Sequence, residues 1–241
     1  MRSFLTALKF LTAIPWPKQI PTTPEEIGRS TPFFPVVGLC LGLILVLLDW
    51  LLEPYLASEI LSVVLVTALI LMTRAIHLHG LGETFEQLGA KGREVIPKTM
   101  GDNHLRLIGL LAVLVVIAFK FRTIEVIGEM RSQGLLLAPV LARWAMVVLA
   151  YGSKSLHEAM DRTKVEHVRG WHLLVATVLT LGLVVPFAGR LGLWIALWVS
   201  LFTLLSRKYL HHRLGSVTWD NFGAVGETSE ALALVLFASL E

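Results

Sequence analysis

The segment H-L-H-G-L-G-E-T-F-E-Q, residues 77 to 87, gathers an imidazole and two carboxylates beside a long apolar run. His79 precedes Glu83 by four residues and Glu83 precedes Glu86 by three, so on a helix the three side chains share one face. Such a face can offer oxygen and nitrogen ligands to one divalent cation. The same spacing also fits an ordinary solvated helix face, and both interpretations stay open at this point.

A second polar group, M-G-D-N-H at residues 100 to 104, stands just before another apolar run. Asp102 and His104 are candidate metal ligands at a membrane boundary. The alternative is a helix N-cap, a position that Asp and Asn favour. Three basic residues between the two groups would either hold phosphate or enforce membrane topology. They are Lys91, Arg93 and Lys98.

A third group, T-W-D-N-F-G-A-V-G-E-T-S-E at residues 218 to 230, leads into the last apolar segment. It holds Asp220, Glu227 and Glu230, together with small residues that permit close backbone approach if the stretch is helical. Acidic residues at membrane depth are costly, so their presence indicates function. The alternative is a polar hinge at the membrane surface.

Together the three acidic groups predict a metal site at a membrane surface. Hard divalent cations such as Mg2+ prefer carboxylate oxygens and substrate phosphates. Phosphoryl transfer suits such a site, because its catalysis depends mainly on positioning and charge neutralisation. From the residues alone, the chain is interpreted as a metal-dependent transferase that acts at the cytoplasmic face of a membrane.

The composition places these groups in a membrane protein. The 241 residues are 55% hydrophobic and only 16% charged, with a mean hydropathy of +0.70, whereas a soluble domain carries about 25% charged residues. One cysteine, Cys40, excludes an intramolecular disulfide. No cluster of basic and aromatic residues indicates nucleic-acid binding. We expect one membrane domain over residues 1–241.

The apolar runs predict an all-α polytopic bundle of about six to seven transmembrane helices. The predicted spans are 34–52, 57–74, 105–121, 134–151, 171–188 and 191–206, followed by a shorter segment at 229–240 that is too short to span untilted. Before them, Phe4, Leu8, Leu11 and Ile14 share one helical face, which predicts an N-terminal interfacial helix.

Lysine and arginine predict the orientation, because cytoplasmic loops are enriched in them. The loops 77–104, 152–170 and 207–228 hold ten Lys and Arg residues, against four in the segments assigned to the opposite side, and are expected in the cytoplasm, in a multi-pass protein of the cell inner membrane. The segment 120–133, which begins with Lys120, is the exception on the opposite side. Since the three loops also contain most of the His, Asp and Glu residues, we expect one site on the cytoplasmic face.

Five segments occur in an order that is typical of a known family. They are F-L-T-A-I-P-W-P at 10–17, F-F-P-V-V-G-L-C-L-G at 33–42, H-L-H-G-L-G-E-T-F-E-Q at 77–87, M-G-D-N-H at 100–104 and W-D-N-F-G-A-V-G-E-T-S-E at 219–230. Together they resemble the cobalamin synthase family, also called adenosylcobinamide-GDP ribazoletransferase. No single segment is specific, but the ordered set extends over most of the chain.

The resemblance implies a divalent-metal-dependent phosphotransferase of late vitamin B12 assembly. It would transfer cobinamide phosphate from adenosylcobinamide-GDP to α-ribazole or α-ribazole 5′-phosphate, release GMP and use Mg2+. Carried onto this chain, the predicted metal ligands are Glu83, Glu86, Asp102 and Asp220. His79 would be a ligand or a general base, and Glu227 would support the metal shell or orient the nucleophile. Predicted phosphate contacts are Lys91, Arg93 and Lys98.

The first acidic segment departs from the family pattern H-L-D-G-L-A-D-T-x-D-G, because its three aspartates become His79, Glu83 and Glu86. Glutamate keeps the charge but lengthens the arm, whereas Mg2+ demands near-ideal geometry at about 2.0–2.1 Å. Histidine adds a nitrogen ligand, which favours Mn2+ or another transition metal. The third segment matches the family at Asp220, Gly223, Ala224, Glu227 and Glu230.

The departures from the family pattern allow two other interpretations. The chain is either a divergent paralogue that transfers phosphate from another nucleotide-linked substrate, or a non-catalytic corrinoid-binding or scaffold protein. A transporter is disfavoured, since the acidic residues are expected near the ends of spans and no interrupted helix pair is evident. The predicted partners are small-molecule substrates and the lipid bilayer, without nucleic acid, and the sequence is compatible with an oligomer.

Overall fold

A computed structural model describes residues 2–14, 23–90, 103–153 and 168–240. Throughout these ranges the chain is helical and contains no β-strand, which confirms the all-α prediction. The helices are α1 (Arg2–Leu11), α2 (Pro24–Ser30), α3 (Phe34–Leu52), α4 (Ser58–Met72), α5 (Ile76–Gly89), α6 (Asn103–Val126), α7 (Arg131–Ala150), α8 (Gly170–Leu214) and α9 (Trp219–Ser239).

Among the described residues, five helices are long and apolar enough to cross a membrane. The bent pair α4 and α5 makes a sixth if it counts as one span. Counting the two halves of α8 separately adds one more, so the bundle agrees with the predicted six to seven spans. Lengths of this kind suit the hydrocarbon thickness of a bilayer and indicate a multi-pass membrane protein.

The long helix α8 is a helical hairpin that turns at Gly189. This residue has a non-helical backbone, with φ 52° and ψ −132°. Gly170 at the start of α8 and Arg207 near its end both lie against Tyr151. In a straight helix, which rises about 1.5 Å per residue, these two positions would be on the order of 55 Å apart. The turn therefore separates the two spans predicted at 171–188 and 191–206.

The helix α4 is shorter than the span predicted at 57–74, because it contains only 15 residues and ends at Met72. Arg74 and Ala75 follow with φ of 54° and 53°, a left-handed conformation that non-glycine residues rarely adopt. The next helix, α5, leaves at an angle of 86° to α4. The sharp bend interrupts the predicted span, so the expectation that no helix pair is interrupted is wrong.

The helix α9 is longer than the sequence predicted. Only 229–240 was expected to be apolar helix, but the helix begins at Trp219 and runs for 21 residues. Thr218 precedes it in extended conformation, and its N–H donates to the side chain of Asn221 at 2.8 Å. The third acidic segment is therefore the first half of a largely buried helix and not a surface hinge.

Helix α7 lies at the centre of the bundle, with every residue from Gly134 to Ala150 buried. It packs on α3, α8 and α9. Gly38 and Gly42 of α3 abut the backbone of Pro139 and Leu136, so no side chain separates the two helices there. Small residues at such contacts allow close helix packing in membranes, where dispersion forces replace the hydrophobic effect.

Contacts between helix ends show which segments share one side of the bundle. Arg213 Nη2 donates to the Leu88 carbonyl at 3.3 Å, which joins the end of α8 to the end of α5. At the opposite end, Arg131 pairs with Asp49 at 2.9 Å. The acidic helix α5 and the start of α9 thus lie on the same side.

The helix α1 confirms the predicted helix in the first residues, and one part of its surface packs on the protein. Thr6, Ala7 and Leu11 are buried. The ring of Phe10 lies 4.8 Å from that of Trp219, so α1 contacts the start of α9. The N-terminal segment therefore covers the side of the bundle that carries the acidic groups.

Candidate functional site

The first acidic group lies on α5, as the spacing predicted. His79 is 71% exposed and Glu83 is 28% exposed, and their Nε2 and Oε1 atoms are 3.9 Å apart. That separation allows an electrostatic attraction but exceeds a hydrogen-bond length. Glu86 is partly buried one turn further along. The neighbouring His77, by contrast, is buried and faces the interior of the bundle.

Two glycines bring α5 and α9 into backbone contact. A Cβ on Gly80 would lie 2.7 Å from the Asp220 carbonyl oxygen, and a Cβ on Gly223 would lie 2.7 Å from the His77 carbonyl oxygen. Cβ atoms essentially never come so close to a backbone oxygen, so both positions require glycine, which has no Cβ. The crossing places Asp220 on α9 next to the acidic turn of α5.

A buried hydrogen bond fixes the same crossing. Asn221 is fully buried, and its Nδ2 donates to Thr84 Oγ1 at 2.9 Å. Its Oδ1 accepts the Thr218 backbone N–H at 2.8 Å, so one side chain both caps α9 and ties it to α5. Sequence reasoning did not mark Asn221. Its position three residues after a threonine, at the start of a helix, is the capping-box signal that indicates it.

Helix α6 closes the other side of the acidic turn. A Cβ on Gly109 would lie 2.7 Å from the Gly82 carbonyl oxygen and 2.9 Å from Glu86 Oε1. The side chain of Glu86, on α5, therefore lies against Gly109 of α6. A Cβ on Gly82, where the resembling family has alanine, would lie 3.7 Å from Val113 Cγ2 and 3.8 Å from the Gly109 carbonyl oxygen, so the close contact depends on Gly109 and not on Gly82.

The other predicted acidic residue, Glu227, is not at the open surface. Lys120 Nζ donates to Glu227 Oε2 at 2.5 Å and to Glu230 Oε1 at 2.7 Å. Arg143 pairs with the second oxygen of Glu230. All four side chains are at least 94% buried, and both glutamates lie within the candidate span α9. The expectation that the acidic residues stand only near span ends is therefore wrong for these two.

Sequence analysis missed Lys120 and Arg143 as members of this cluster. Lys120 was assigned to a loop on the opposite side, but α6 continues to Val126, so Lys120 is a helix residue inside the bundle. The available signal was a lone cation within each of two apolar runs, because charged residues in spans face the interior and pair. The correction also removes Lys120 from the exceptions to the predicted orientation.

The metal prediction rests on carboxylates from neighbouring helices. Glu83 and Glu86 on α5 and Asp220 on α9 supply the oxygen donors that Mg2+ and Mn2+ bind. Within the described ranges, however, no three His, Cys, Asp or Glu side chains form a group that could hold a metal ion. The fourth predicted ligand, Asp102, lies outside the described residues, as do Lys91, Arg93 and Lys98. The donor chemistry fits a divalent cation, and the complete ligand set stays a prediction.

Similarity to known proteins extends over nearly the whole chain. The family described as cobalamin-5-phosphate synthase matches residues 3–238. Proteins named adenosylcobinamide-GDP ribazoletransferase are similar along nearly their full lengths. One from Geotalea daltonii is 32% identical, with 100% of this chain and 98% of that protein aligned. One from Syntrophobacter fumaroxidans is 35% identical, with 96% of each chain aligned.

A third relative, from Pseudomonas entomophila, has the same name and is 36% identical over 98% of each chain. No solved structure matches the chain at a significant level. The match over residues 3–238 includes all three acidic segments, the crossing of α5 and α9 and the buried charges. The chain therefore belongs to the cobalamin-5-phosphate synthase family.

Proposed function

We propose that the protein transfers cobinamide phosphate from adenosylcobinamide-GDP to α-ribazole, or to α-ribazole 5′-phosphate, and releases GMP. Membership of the family and the names of its relatives support this activity. The structural observation that carries it is the backbone contact of Gly80 with Asp220, which joins two acidic segments that are far apart in sequence. Both segments lie on the side of the bundle where α8 ends in basic residues.

The reaction is a phosphoryl transfer to an alcohol. The oxygen of a ribose hydroxyl that is free in both α-ribazole and α-ribazole 5′-phosphate attacks the phosphorus that bears cobinamide, a new P–O bond forms, and the P–O bond to GMP breaks. The hydroxyl proton must leave, and the GMP oxygen takes the electron pair. Positioning and neutralisation of the pyrophosphate account for most of the catalysis in such reactions.

The exposed imidazole of His79 is the proposed acceptor of the hydroxyl proton at Nε2. A general base must reach the proton that it takes, and His79 is the exposed member of the acidic face, 3.9 Å from Glu83. Glu83 stabilises the imidazolium that results. Lys91, Arg93 and Lys98 follow α5 directly in the sequence and are proposed to bind phosphate oxygens.

Glu83, Glu86, Asp102 and Asp220 are proposed to hold one divalent cation, Mg2+ or Mn2+. When bound, it would neutralise charge on the pyrophosphate and on departing GMP. The chain itself contributes the crossing of α5 with α9, which Asn221 and Gly223 fix and which brings the backbone of Asp220 against α5. The proposed setting is the inner membrane, with this side of the bundle in the cytoplasm.

The test is GMP release by the protein in liposomes, supplied with adenosylcobinamide-GDP and α-ribazole in Mg2+ or Mn2+. We expect release that requires ribazole and that is lost in Glu83→Ala. The matched control is Glu25→Ala, which removes a carboxylate from an exposed pair with Arg29 on α2. Folded protein that releases no GMP with either metal and either form of ribazole would overturn the proposal.

A further inference from the structure

Four charged side chains meet inside the bundle, away from the exposed acidic face of α5. Lys120 of α6 donates to Glu227 and Glu230 of α9, at 2.5 and 2.7 Å. Arg143 of α7 donates to Glu230. We refer to Lys120, Arg143, Glu227 and Glu230 as the buried charge cluster. None of the four side chains is more than 6% exposed.

The cluster is balanced, with two cations and two anions. Inside a membrane bundle an unpaired charge is far more costly than at a surface, so removal of one member leaves a charge without compensation. A largely buried ion pair of Arg131 with Asp49 joins α7 to α3 at the opposite end. The pairs of the cluster join α9 to α6 and α7.

The cluster and the crossing with α5 occupy one face of α9. Asp220, Gly223, Glu227 and Glu230 follow at steps of three, four and three residues, which is the period of one helical face. At one end of this face, Gly223 contacts the backbone of His77. At the other end, Glu227 and Glu230 bind α6 and α7. Because the helix is continuous, the salt bridges set how α9 is rotated about its axis at the crossing.

We propose that Lys120 and Arg143 are positioning residues, which hold the rotation of α9 so that Asp220 stays beside the acidic turn of α5. This inference deepens the proposed function and rests on it for the reaction that is affected. Glu227 and Glu230 act through their salt bridges and do not touch the substrate. Their role differs from the direct contribution to catalysis that the sequence predicted for Glu227.

The two roles of Glu227 are separated by restoring charge balance without the carboxylate. Lys120→Met leaves two anions with one cation. Adding Glu227→Gln to it leaves Arg143 and Glu230 as a balanced pair. If Lys120 and Arg143 position α9, the double variant should recover the exchange protection and the kcat that Lys120→Met loses. If the Glu227 carboxylate acts directly in catalysis, kcat cannot recover.

The experiment compares wild type, Lys120→Met, the double variant and the control Arg131→Met, all in liposomes. The control breaks the pair with Asp49, which joins α7 to α3. One readout is amide hydrogen exchange in α5 (Ile76–Gly89) and in the first half of α9. The other is the kcat of GMP release per folded protein. The exchange readout needs no substrate.

In Lys120→Met we expect exchange in α5 and α9 to rise roughly 100-fold, since a broken buried pair is strongly destabilising. We also expect kcat to fall roughly 100-fold, as a misplacement of about 1 Å can cause. Arg131→Met should raise exchange near Asp49 and keep its kcat. The double variant should approach the wild-type exchange and regain most of the kcat.

The proposal is overturned if Lys120→Met leaves exchange in α5 unchanged, or if the double variant is folded and protected but remains inactive. If Lys120→Met does not fold, the balanced double variant decides alone, since wild-type protection with most of the kcat supports the proposal and a folded, protected but inactive protein overturns it. If wild type releases no GMP, the proposed function fails, whereas the exchange comparison still decides whether the cluster positions α9.

Discussion

Gly80 on α5 lies directly against the carbonyl of Asp220 on α9, where an added Cβ would be 2.7 Å from the oxygen. The contact is reciprocal one turn further on, since Gly223 meets the carbonyl of His77 in the same way. Two acidic segments that are separated by more than 130 residues are therefore joined through backbone and not through long side chains. The position of Asp220 relative to α5 is as rigid as the helices that carry it.

Alanine at Gly80 or Gly223 should destabilise the protein and lower its activity. The added methyl group meets backbone atoms, which cannot rotate away, so the helices must separate. Overpacking of this kind costs about 1–3 kcal/mol of unfolding free energy. We expect a lower midpoint of thermal unfolding and a fall in kcat of GMP release that exceeds the loss of folded protein.

Gly182→Ala is the matched control for this prediction. Gly182 is also a glycine within a helix, but a Cβ there would meet no atom within 4 Å. Alanine should be neutral there or stabilise by about 0.5–1 kcal/mol, because it fits a helix better than glycine. If Gly80→Ala proves as harmless as Gly182→Ala, α5 and α9 do not pack at the distance described.

The hydrogen bond between Asn221 and Thr84 should contribute measurably to stability. Asn221→Ala removes the partner of Thr84 and of the Thr218 N–H, and an unsatisfied buried group costs about 1–3 kcal/mol. Thr84→Ala should cost less, because Asn221 keeps its bond to Thr218. A double-mutant cycle of unfolding free energies measures the coupling of the two side chains. Additive effects would show that they do not interact.

Composition and hydropathy were sufficient to predict the bundle, because a helix is the unit that satisfies its own backbone groups in lipid. They failed where geometry depends on distant contacts. The end of α4 at Met72 and the bend before α5 follow from two left-handed residues, Arg74 and Ala75, which no composition rule indicates. The extension of α9 back to Trp219 depends on burial against α5 and α7, which offsets its low hydropathy.

Only part of the candidate site was predicted, because spacing gives positions along one helix but not the contacts between helices. Spacing placed His79, Glu83 and Glu86 on one helical face, and the helix α5 confirms this, since one helix has one period. Spacing could not pair Glu227 with Lys120, because 107 residues separate them along the chain. Partners across a bundle depend on packing, so the sequence showed the charges but not which of them neutralise each other.

Replacing His79 by aspartate should change the metal preference. The resembling family has aspartate at this position, and a carboxylate would add an oxygen ligand where the imidazole offers nitrogen. We expect His79→Asp to raise the ratio of GMP release in Mg2+ to that in Mn2+, and His79→Ala to lower kcat with both metals.

The exposed His212 at the end of α8 offers the same substitution outside the proposed site. His212→Asp should leave the metal preference unchanged, since His212 lies on α8 and none of the proposed metal ligands does. An unchanged ratio in His79→Asp, with activity retained, would exclude His79 from the metal's ligands and leave it the role of proton acceptor.

Cysteine labelling should place the acidic side of the bundle in the cytoplasm. In a Cys40→Ser background, Tyr55→Cys lies between α3 and α4, where the native side chain is 82% exposed. His212→Cys lies at the opposite end, among the basic residues of α8. Because basic loops remain in the cytoplasm, an impermeant maleimide should label position 55 in intact spheroplasts and position 212 only after lysis.

This orientation bears directly on the proposed reaction. The buried position of Lys120 removes it from the loop that opposed the predicted orientation, so the remaining bias of basic residues is stronger than the sequence indicated. The unmodified Cys40→Ser protein supplies the background signal. Labelling of position 212 from outside would put His79, Glu83 and Asp220 on the outer side, because Arg213 and Leu88 join α8 to α5. A site there would have no access to cytoplasmic GDP-linked substrates, and the proposed function would fail.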